Sequence, residues 1–252
     1  MVAYGECRQT IDWGAIDLVV FDVDGTLYDQ TPLRLRMLIE LGMHSCRTMS
    51  LSDALTLRTF RRCREELSRE QGTEDFTNLQ YIRAAERRRM DPGDVRETVR
   101  VWLEERPLQF LRNYCLDGVA ELFDACRKTG KGPAVWSDYP ASAKLAALGL
   151  SASIIVDSGE EGVRRLKPDP AGLHRILSLA SVAPHRVLLI GDRTDHDGEA
   201  SRRAGVQTLI RRPAPHAEFA TFASYRDPLF NPLLRQARAS PNQAAPLAEN
   251  AR

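Results

Sequence analysis

The stretch Leu18-Val19-Val20-Phe21-Asp22-Val23-Asp24-Gly25-Thr26-Leu27 decides how the chain is organised. Four consecutive apolar residues without alternation read as a strand covered on both faces, as in a parallel sheet packed between helices. The run ends in two carboxylates and a glycine, not in a simple turn. Runs of the same kind recur at Ala134-Val135-Trp136, Ser153-Ile154-Ile155-Val156, Val187-Leu188-Leu189-Ile190 and, more weakly, from Val206 to Ile210. Helical patterns separate them. Asp117 precedes a stripe of Val119, Leu122, Phe123 and Cys126 that stops near Gly130, Pro140 opens a helix closed by Gly149, and Asp169-Pro170 begins another with Leu173, Ile176, Leu177 and Ala180 on one face. The alternation predicts an α/β fold, a doubly wound parallel sheet with helices on both sides.

Between the first strand and the rest lies a stretch with helical periodicity and no convincing strand. Val95, Val99, Trp102 and Leu103 form one helical face after the cap signal Asp91-Pro92, and Leu79, Ile82 and Ala85 precede it. The expected organisation is therefore a core of residues 13–28 and 113–220, interrupted by an all-helical insertion at 29–112. Residues 221–252 read as a C-terminal extension that loses apolar periodicity from about 239, where disorder is expected.

Composition narrows the partners. Across 252 residues, 35 Lys and Arg nearly cancel 34 Asp and Glu, so no global basic field points to nucleic acid. The five cysteines, Cys7, Cys46, Cys63, Cys115 and Cys126, are odd in number, scattered and free of a CxxC pair, which fits reduced thiols and neither a disulfide framework nor a zinc site. No signal peptide pattern opens the sequence and no apolar run reaches the length of a membrane span. These features predict a cytoplasmic protein without a membrane segment; its oligomeric state is left open.

Ligands of doubly wound sheets bind beyond the carboxyl ends of the strands, so polar residues at those ends belong together. Four clusters qualify: Asp22-Val23-Asp24-Gly25-Thr26, Ser137-Asp138, Lys167-Pro168-Asp169-Pro170, and the run from Gly191 to Asp197. Carboxylates at 22, 24 and 192 gathered at one edge repel unless a hard cation neutralises them, and an all-oxygen set suits Mg²⁺. A lysine and a hydroxyl add donors for phosphoryl oxygens. One carboxylate held in line can then attack phosphorus while a second shuttles the proton, which is phosphoryl transfer through an aspartyl-phosphate.

These clusters resemble the four motifs of the haloacid dehalogenase superfamily in their usual order: DVDGTL at 22–27, the serine of AVWSD at 134–138, the lysine of LKPDP at 166–170 and GDRTDHDGEASRRAG at 191–205. The resemblance runs from about Asp17 to Ile210, and the helical insertion matches in position and type. It implies a Rossmannoid core with a helical cap, Asp22 as nucleophile and Mg²⁺ ligand, and Asp24 as general acid and base whose backbone carbonyl also meets the metal. Ser137 and Lys167 would bind the phosphoryl group and Asp192 would ligate Mg²⁺. Asp197 or Asp195 would support the metal site, with the spacing favouring Asp197. In this superfamily an acid two positions after the nucleophile goes with phosphatase and phosphomutase chemistry, because an alkoxide leaving group needs a proton.

The expected activity is Mg²⁺-dependent hydrolysis of a small phosphomonoester, such as a sugar, polyol or nucleotide phosphate. A phosphomutase of the same superfamily is the alternative, and a non-catalytic phosphoryl-binding or regulatory module the alternative of another class. His196 and Arg193 are set outside the site, as a solvated loop histidine and a loop anchor. Most arginines of the insertion are expected to pair with glutamates on wet helix faces, with Arg34, Arg36 and the cluster 58–64, Arg62 included, as candidates to meet an anionic or hydroxyl-rich substrate.

Overall fold

The computed structural model describes residues 11–70 and 76–240. Its frame is a six-stranded, all-parallel sheet: β1 (Leu18–Phe21), β2 (Pro133–Ser137), β3 (Ile154–Asp157), β4 (Val187–Gly191), β5 (Gln207–Arg211) and β6 (Ala220–Phe222), in the order β3-β2-β1-β4-β5-β6. The order reverses at β1, the central strand, which pairs with β2 on one side and β4 on the other. All residues of β1, β2 and β4 are buried, which is why their sequences are unbroken apolar runs.

Side chains alternate across the sheet. Val19, Phe21, Val135, Leu188 and Ile190 face one way, with α6 (Val119–Lys128), α7 (Ser142–Leu148) and α10 (Asn231–Ala239). Leu18, Val20, Trp136, Val187 and Leu189 face the other, with α8 (Ala171–Ala180) and α9 (Glu199–Ala204). The sequence signals act as expected: Asp169 accepts the Ala171 amide at 2.9 Å at the start of α8, and Gly130 and Gly149 terminate α6 and α7 with positive φ.

Between β1 and β2 the chain forms α1 (Gln30–Thr48), α2 (Ser52–Arg69), α3 (Phe76–Arg88), α4 (Pro92–Val99), a π-helical segment Arg100–Glu105 and α5 (Leu108–Leu111). These helices enclose an apolar centre of their own, with Leu57, Phe60, Cys63, Val95, Val99 and Trp102. Asp91 caps α4 by accepting the Gly93 amide. The two crossings between insertion and sheet lie side by side, the Asp29 amide donating to Tyr114 and the Leu116 amide to Leu27.

The stretch 221–239, expected as an extension, belongs to the core. It completes β6 and sends Phe222, Tyr225, Phe230 and Leu233 into the buried cluster beneath α6. Short spacing hides this in sequence: β6 has three residues, and α10 buries only Leu233 and Ala237. Residues beyond 240, where disorder was expected, and Cys7 lie outside the described residues.

Candidate active site

The carboxyl ends of β1, β2 and β4 bring the four motifs together at the point where strand order reverses. Asp22 follows β1, and its amide continues the ladder by donating to Ile190 at 2.9 Å. Gly25 then turns the chain with φ 95°. A Cβ there would lie 2.2 Å from Asp192 Oδ2, so the loop after β1 and the loop after β4 approach more closely than any side chain permits. Gly191 is held to hydrogen by the same crowding, since its Cβ would meet the Asp197 carboxyl group at 2.4 Å.

Lys167 sits at the centre of the buried charges. Its ammonium donates to Asp22 Oδ1 at 2.7 Å, to Asp197 Oδ1 at 2.7 Å and to the Trp136 carbonyl at 3.1 Å, which uses all three of its hydrogens. Burial acts to lower its pKa, but Asp197 and Asp22 outweigh burial and hold it charged. The Thr26 hydroxyl donates to Asp22 Oδ2 at 3.0 Å, so each oxygen of Asp22 has a fixed partner. Asp197 also accepts the amides of Asp192 and Arg193 on Oδ2, tying the loop after β4 to Lys167.

Asp22, Asp192 and Asp197 form one group in which one carboxylate oxygen from each lies within 4.8 Å of the others. Burial pushes Asp22 well above the ordinary carboxylate range, against the pull of Lys167 and with the help of Asp197 and Asp192. Asp192 is pushed up to about 7, first by burial and then by Asp197. One lysine thus leaves this group short of positive charge. An all-oxygen, partly desolvated carboxylate cluster of this kind is what a hard divalent cation fits.

The Asp24 side chain takes a different position. Lys144 donates to both of its oxygens, at 2.6 and 2.7 Å, and the Tyr28 hydroxyl donates to Oδ1. Burial acts to raise this carboxyl, yet Lys144 and the Tyr28 hydrogen bond together bring it below its ordinary value. The two acids of the first motif are therefore tuned apart, Asp22 upward and Asp24 downward, each against its own lysine.

The remaining expected residues separate. Asp197 joins the carboxylate group, whereas Asp195 is largely exposed and pairs with Arg193 at 2.7 Å. Ser137 is buried beside the site, its hydroxyl accepting the Tyr139 amide at 3.2 Å, while the cavity wall at that point is made by Asp138 and Tyr139. His196, read as a solvated loop residue, is instead buried and lines the cavity, because the loop after β4 closes into a π-helical turn, Thr194–Gly198, that folds it inward.

Sequence reasoning missed Lys144, Tyr28, Arg211 and Tyr225. Arg211 donates to the Gly25 carbonyl at 2.8 Å and Tyr225 to the Thr26 carbonyl at 3.0 Å, so β5 and the C-terminal stretch hold the first motif's loop. Lys144 lies one turn into α7 after the second motif, and that offset from a strand end was the only available signal.

The site opens into a cavity of about 760 Å³ between the sheet edge and the inserted helices. Asp22, Asp24, Lys144, Lys167 and Asp192 line it from the sheet side; Leu33, Arg34, Leu57, Arg58, Arg61 and Trp102 are among those lining it from the insertion. Arg62, by contrast, projects into solvent and pairs with Glu66 at 3.1 Å, and Arg36 pairs with Glu40 at 2.6 Å. Among the described residues no helix is long and apolar enough to cross a membrane.

A parallel sheet with a carboxylate cluster at its reversal point, an opposed lysine and a helical insertion after β1 defines a doubly wound, Rossmannoid α/β core with an acidic site at its strand ends. The family model of haloacid dehalogenase-like hydrolases matches residues 16–205, and the chain belongs to that family. A phosphoglycolate phosphatase of Mesorhizobium japonicum is 26% identical over 196 residues, covering 76% of this chain and 81% of the relative. Among solved structures, YfnB from Bacillus subtilis, bound to magnesium, superposes with TM-score 0.61 at 16% identity, covering 86% of this chain and 98% of the other. A 2-haloacid dehalogenase of Pseudomonas syringae pv. Tomato DC3000 gives TM-score 0.59 at 18% identity, covering 89% and 99%.

Proposed function

We propose that this hydrolase is a Mg²⁺-dependent phosphatase acting on a small phosphorylated metabolite through an aspartyl-phosphate on Asp22. The observation that carries the reading is the pair of separately held acids, Asp22 against Lys167 and Asp24 against Lys144, facing one cavity. A nucleophile alone serves carbon–halogen cleavage; a second acid beside it serves an alkoxide that must leave with a proton. The phosphoglycolate phosphatase relative supports the phosphoryl reading.

Asp22, Asp192 and Asp197 are the side chains that would hold or support Mg²⁺, with the Asp24 carbonyl as a further ligand. When bound, the ion neutralises this cluster and draws charge from the phosphoryl oxygens. Asp22 then attacks phosphorus, oriented by Thr26 on one oxygen and Lys167 on the other. Lys167 holds the phosphoryl group, and the Ser137 hydroxyl joins it, which requires that the wall of Asp138 and Tyr139 in front of it move. Asp24 gives its proton to the leaving oxygen, which requires that its contact with Lys144 loosen at that step. In the second step the ionised form of Asp24, which Lys144 favours, takes a proton from the water that hydrolyses the acyl phosphate. The inserted helices at 29–112 serve as a cap over the core formed by 13–28 and 113–239, excluding bulk water.

The test is phosphate release from a phosphomonoester panel with purified protein and Mg²⁺. Release abolished by EDTA and by Asp22→Asn is expected; release indifferent to both overturns the mechanism. An isomerised phosphosugar without free phosphate would instead identify a phosphomutase.

A further inference from the structure

The arginines of α1 and α2 divide along the cavity wall. On α2, Arg62 and Arg69 turn away from the cavity and pair with Glu66 at 3.1 Å and Glu65 at 3.0 Å. Arg58 and Arg61, one turn apart, line the cavity and have neither ion pair nor hydrogen bond among the described residues. Arg34 on α1 is in the same position, while its neighbour Arg36 lies off the cavity and pairs with Glu40. Arg64 completes the set. It is 8% exposed, its guanidinium donates to the Gln80 side-chain oxygen and the Asp138 carbonyl, both neutral, and it lies 4.1 Å from the Tyr139 ring.

A buried guanidinium satisfied only by neutral acceptors keeps its charge uncompensated, and such a charge is costly unless an anion reaches it. Against these four guanidiniums the inserted helices offer two carboxylates on the cavity wall, Glu65, already taken by Arg69, and Glu104. On the sheet side Asp24 is bound by Lys144, Asp22 and Asp197 by Lys167, Asp192 belongs to the metal cluster, and Asp138 accepts the Ser158 hydroxyl at 2.8 Å and the Lys167 amide at 3.1 Å. Solvated pairing, the ordinary state of helix-face arginines, therefore describes the outer side of α2 and fails on its inner side.

We infer that the cap side of the cavity is a second anion site, and that the substrate is a phosphomonoester whose leaving group carries a further carboxylate or phosphate on a body of several carbons. The inference rests on the phosphatase reading and deepens it. The body follows from the remaining wall and the volume. Leu33, Met37, Leu41, Leu57 and Trp102 give apolar surface between the charged parts, and about 760 Å³ lies within the roughly 300–1,000 Å³ range of sites that enclose ligands much larger than a two-carbon acid. A guanidinium fork suits carboxylate and phosphate oxygens alike.

The experiment compares kcat/KM of the purified, Mg²⁺-supplied enzyme for hexyl phosphate, for its analogue with a terminal carboxylate, for the corresponding bisphosphate and for phosphoglycolate. The wild type is expected to prefer one of the two long substrates that carry a second anionic group over hexyl phosphate and over phosphoglycolate by at least about tenfold, a preference that shrinks as salt rises. Whichever of carboxylate and phosphate is preferred identifies the second group. In the Arg58→Ala/Arg61→Ala variant the ratio between that substrate and hexyl phosphate falls by about tenfold, mainly through KM. Arg62→Ala keeps the ratio. Equal use of hexyl phosphate and its anionic analogues, a preference for phosphoglycolate over both, or an equal loss on all substrates in the double variant overturns the inference while leaving the phosphatase reading intact. Hydrolysis of no phosphomonoester at all overturns that reading and the inference with it.

Discussion

The sheet edge and the inserted helices use charge in opposite ways. At the edge, each acid is buried or half-buried and bound by several partners: Asp22 by Thr26 and Lys167, Asp24 by Tyr28 and Lys144, Asp197 by Lys167 and two backbone amides. On the cavity face of the insertion, Arg58, Arg61 and Arg34 are exposed and have no ion pair among the described residues. On the proposed function the first region is preorganised for chemistry, where a displaced donor forfeits rate. The second, on the inference drawn above, is left open to meet a ligand whose charge completes it. On that reading one fold separates a fixed reaction centre from an adaptable recognition surface.

The largest effect should follow from breaking the fixed region. Asp22→Asn removes the attacking oxygen while keeping the volume, so hydrolysis should fall by about a thousandfold or more with the fold retained by circular dichroism. Gly25→Ala places a methyl group where Asp192 stands and demands φ 95° of a residue with a Cβ. Loss of activity with weakened Mg²⁺ affinity, read by activity against metal concentration, is expected.

Lys167→Met leaves Asp22 and Asp197 buried without their shared cation. A stability loss of about 3–5 kcal/mol in metal-free protein is expected from denaturant unfolding, because uncompensated buried charge is costly. Lys144→Ala frees the Asp24 carboxylate and should lower kcat by about ten- to a hundredfold. Its thermal midpoint should move less than that of Lys167→Met, since Asp24 keeps its Tyr28 hydrogen bond.

The carboxylate cluster also sets a pH dependence. Asp192, raised from 3.8 to about 7, binds its proton more tightly in the folded state. Its contribution to stability is therefore fully present below pH 4 and is lost as pH rises through about 7, on the order of a few kcal/mol. Metal-free protein should show a falling thermal midpoint across that window, and saturating Mg²⁺ should remove most of the fall. A midpoint unchanged by pH in the absence of metal would show that the cluster is not electrostatically stressed.

At the small end, Tyr225→Phe removes the hydroxyl that donates to Thr26 and should cost about 0.5–1.5 kcal/mol. Arg62→Ala, on the solvent side of α2, should change stability by under about 0.5 kcal/mol and leave kinetics unmoved. A kinetic defect from Arg62→Ala as large as that from Arg61→Ala would erase the distinction between the two faces of the helix.

Sequence made the sheet legible because its central strands are buried on both faces, and burial writes itself as unbroken apolar runs at 18–21, 134–136 and 187–190. It made the first-motif acids, Lys167 and Asp192 legible because parallel strand ends converge. Partners that reach the site from elsewhere carry no such mark. Lys144 and Tyr225 are one lysine and one tyrosine among several, and only three-dimensional packing shows which carboxylate or carbonyl each one meets. Asp195 and Asp197 differ by two positions in a loop, and the π-helical turn decides that Asp197 points inward. The same turn buries His196, against the expectation for a polar loop. Arg62 and Arg61 are adjacent in sequence and roughly 100° apart around a helix, so composition groups what geometry divides.

The most direct measurement is trapping of the covalent intermediate. Asp24→Asn protein, in which water attack is slowed, is mixed with Mg²⁺ and a substrate identified by the phosphate-release panel, then quenched in acid and analysed by intact and peptide mass spectrometry. One added phosphoryl group, removable by hydroxylamine and located on Asp22, is the expected result. Phosphate released by the wild type with no phosphoryl adduct on Asp22, or an adduct on another residue, would contradict it.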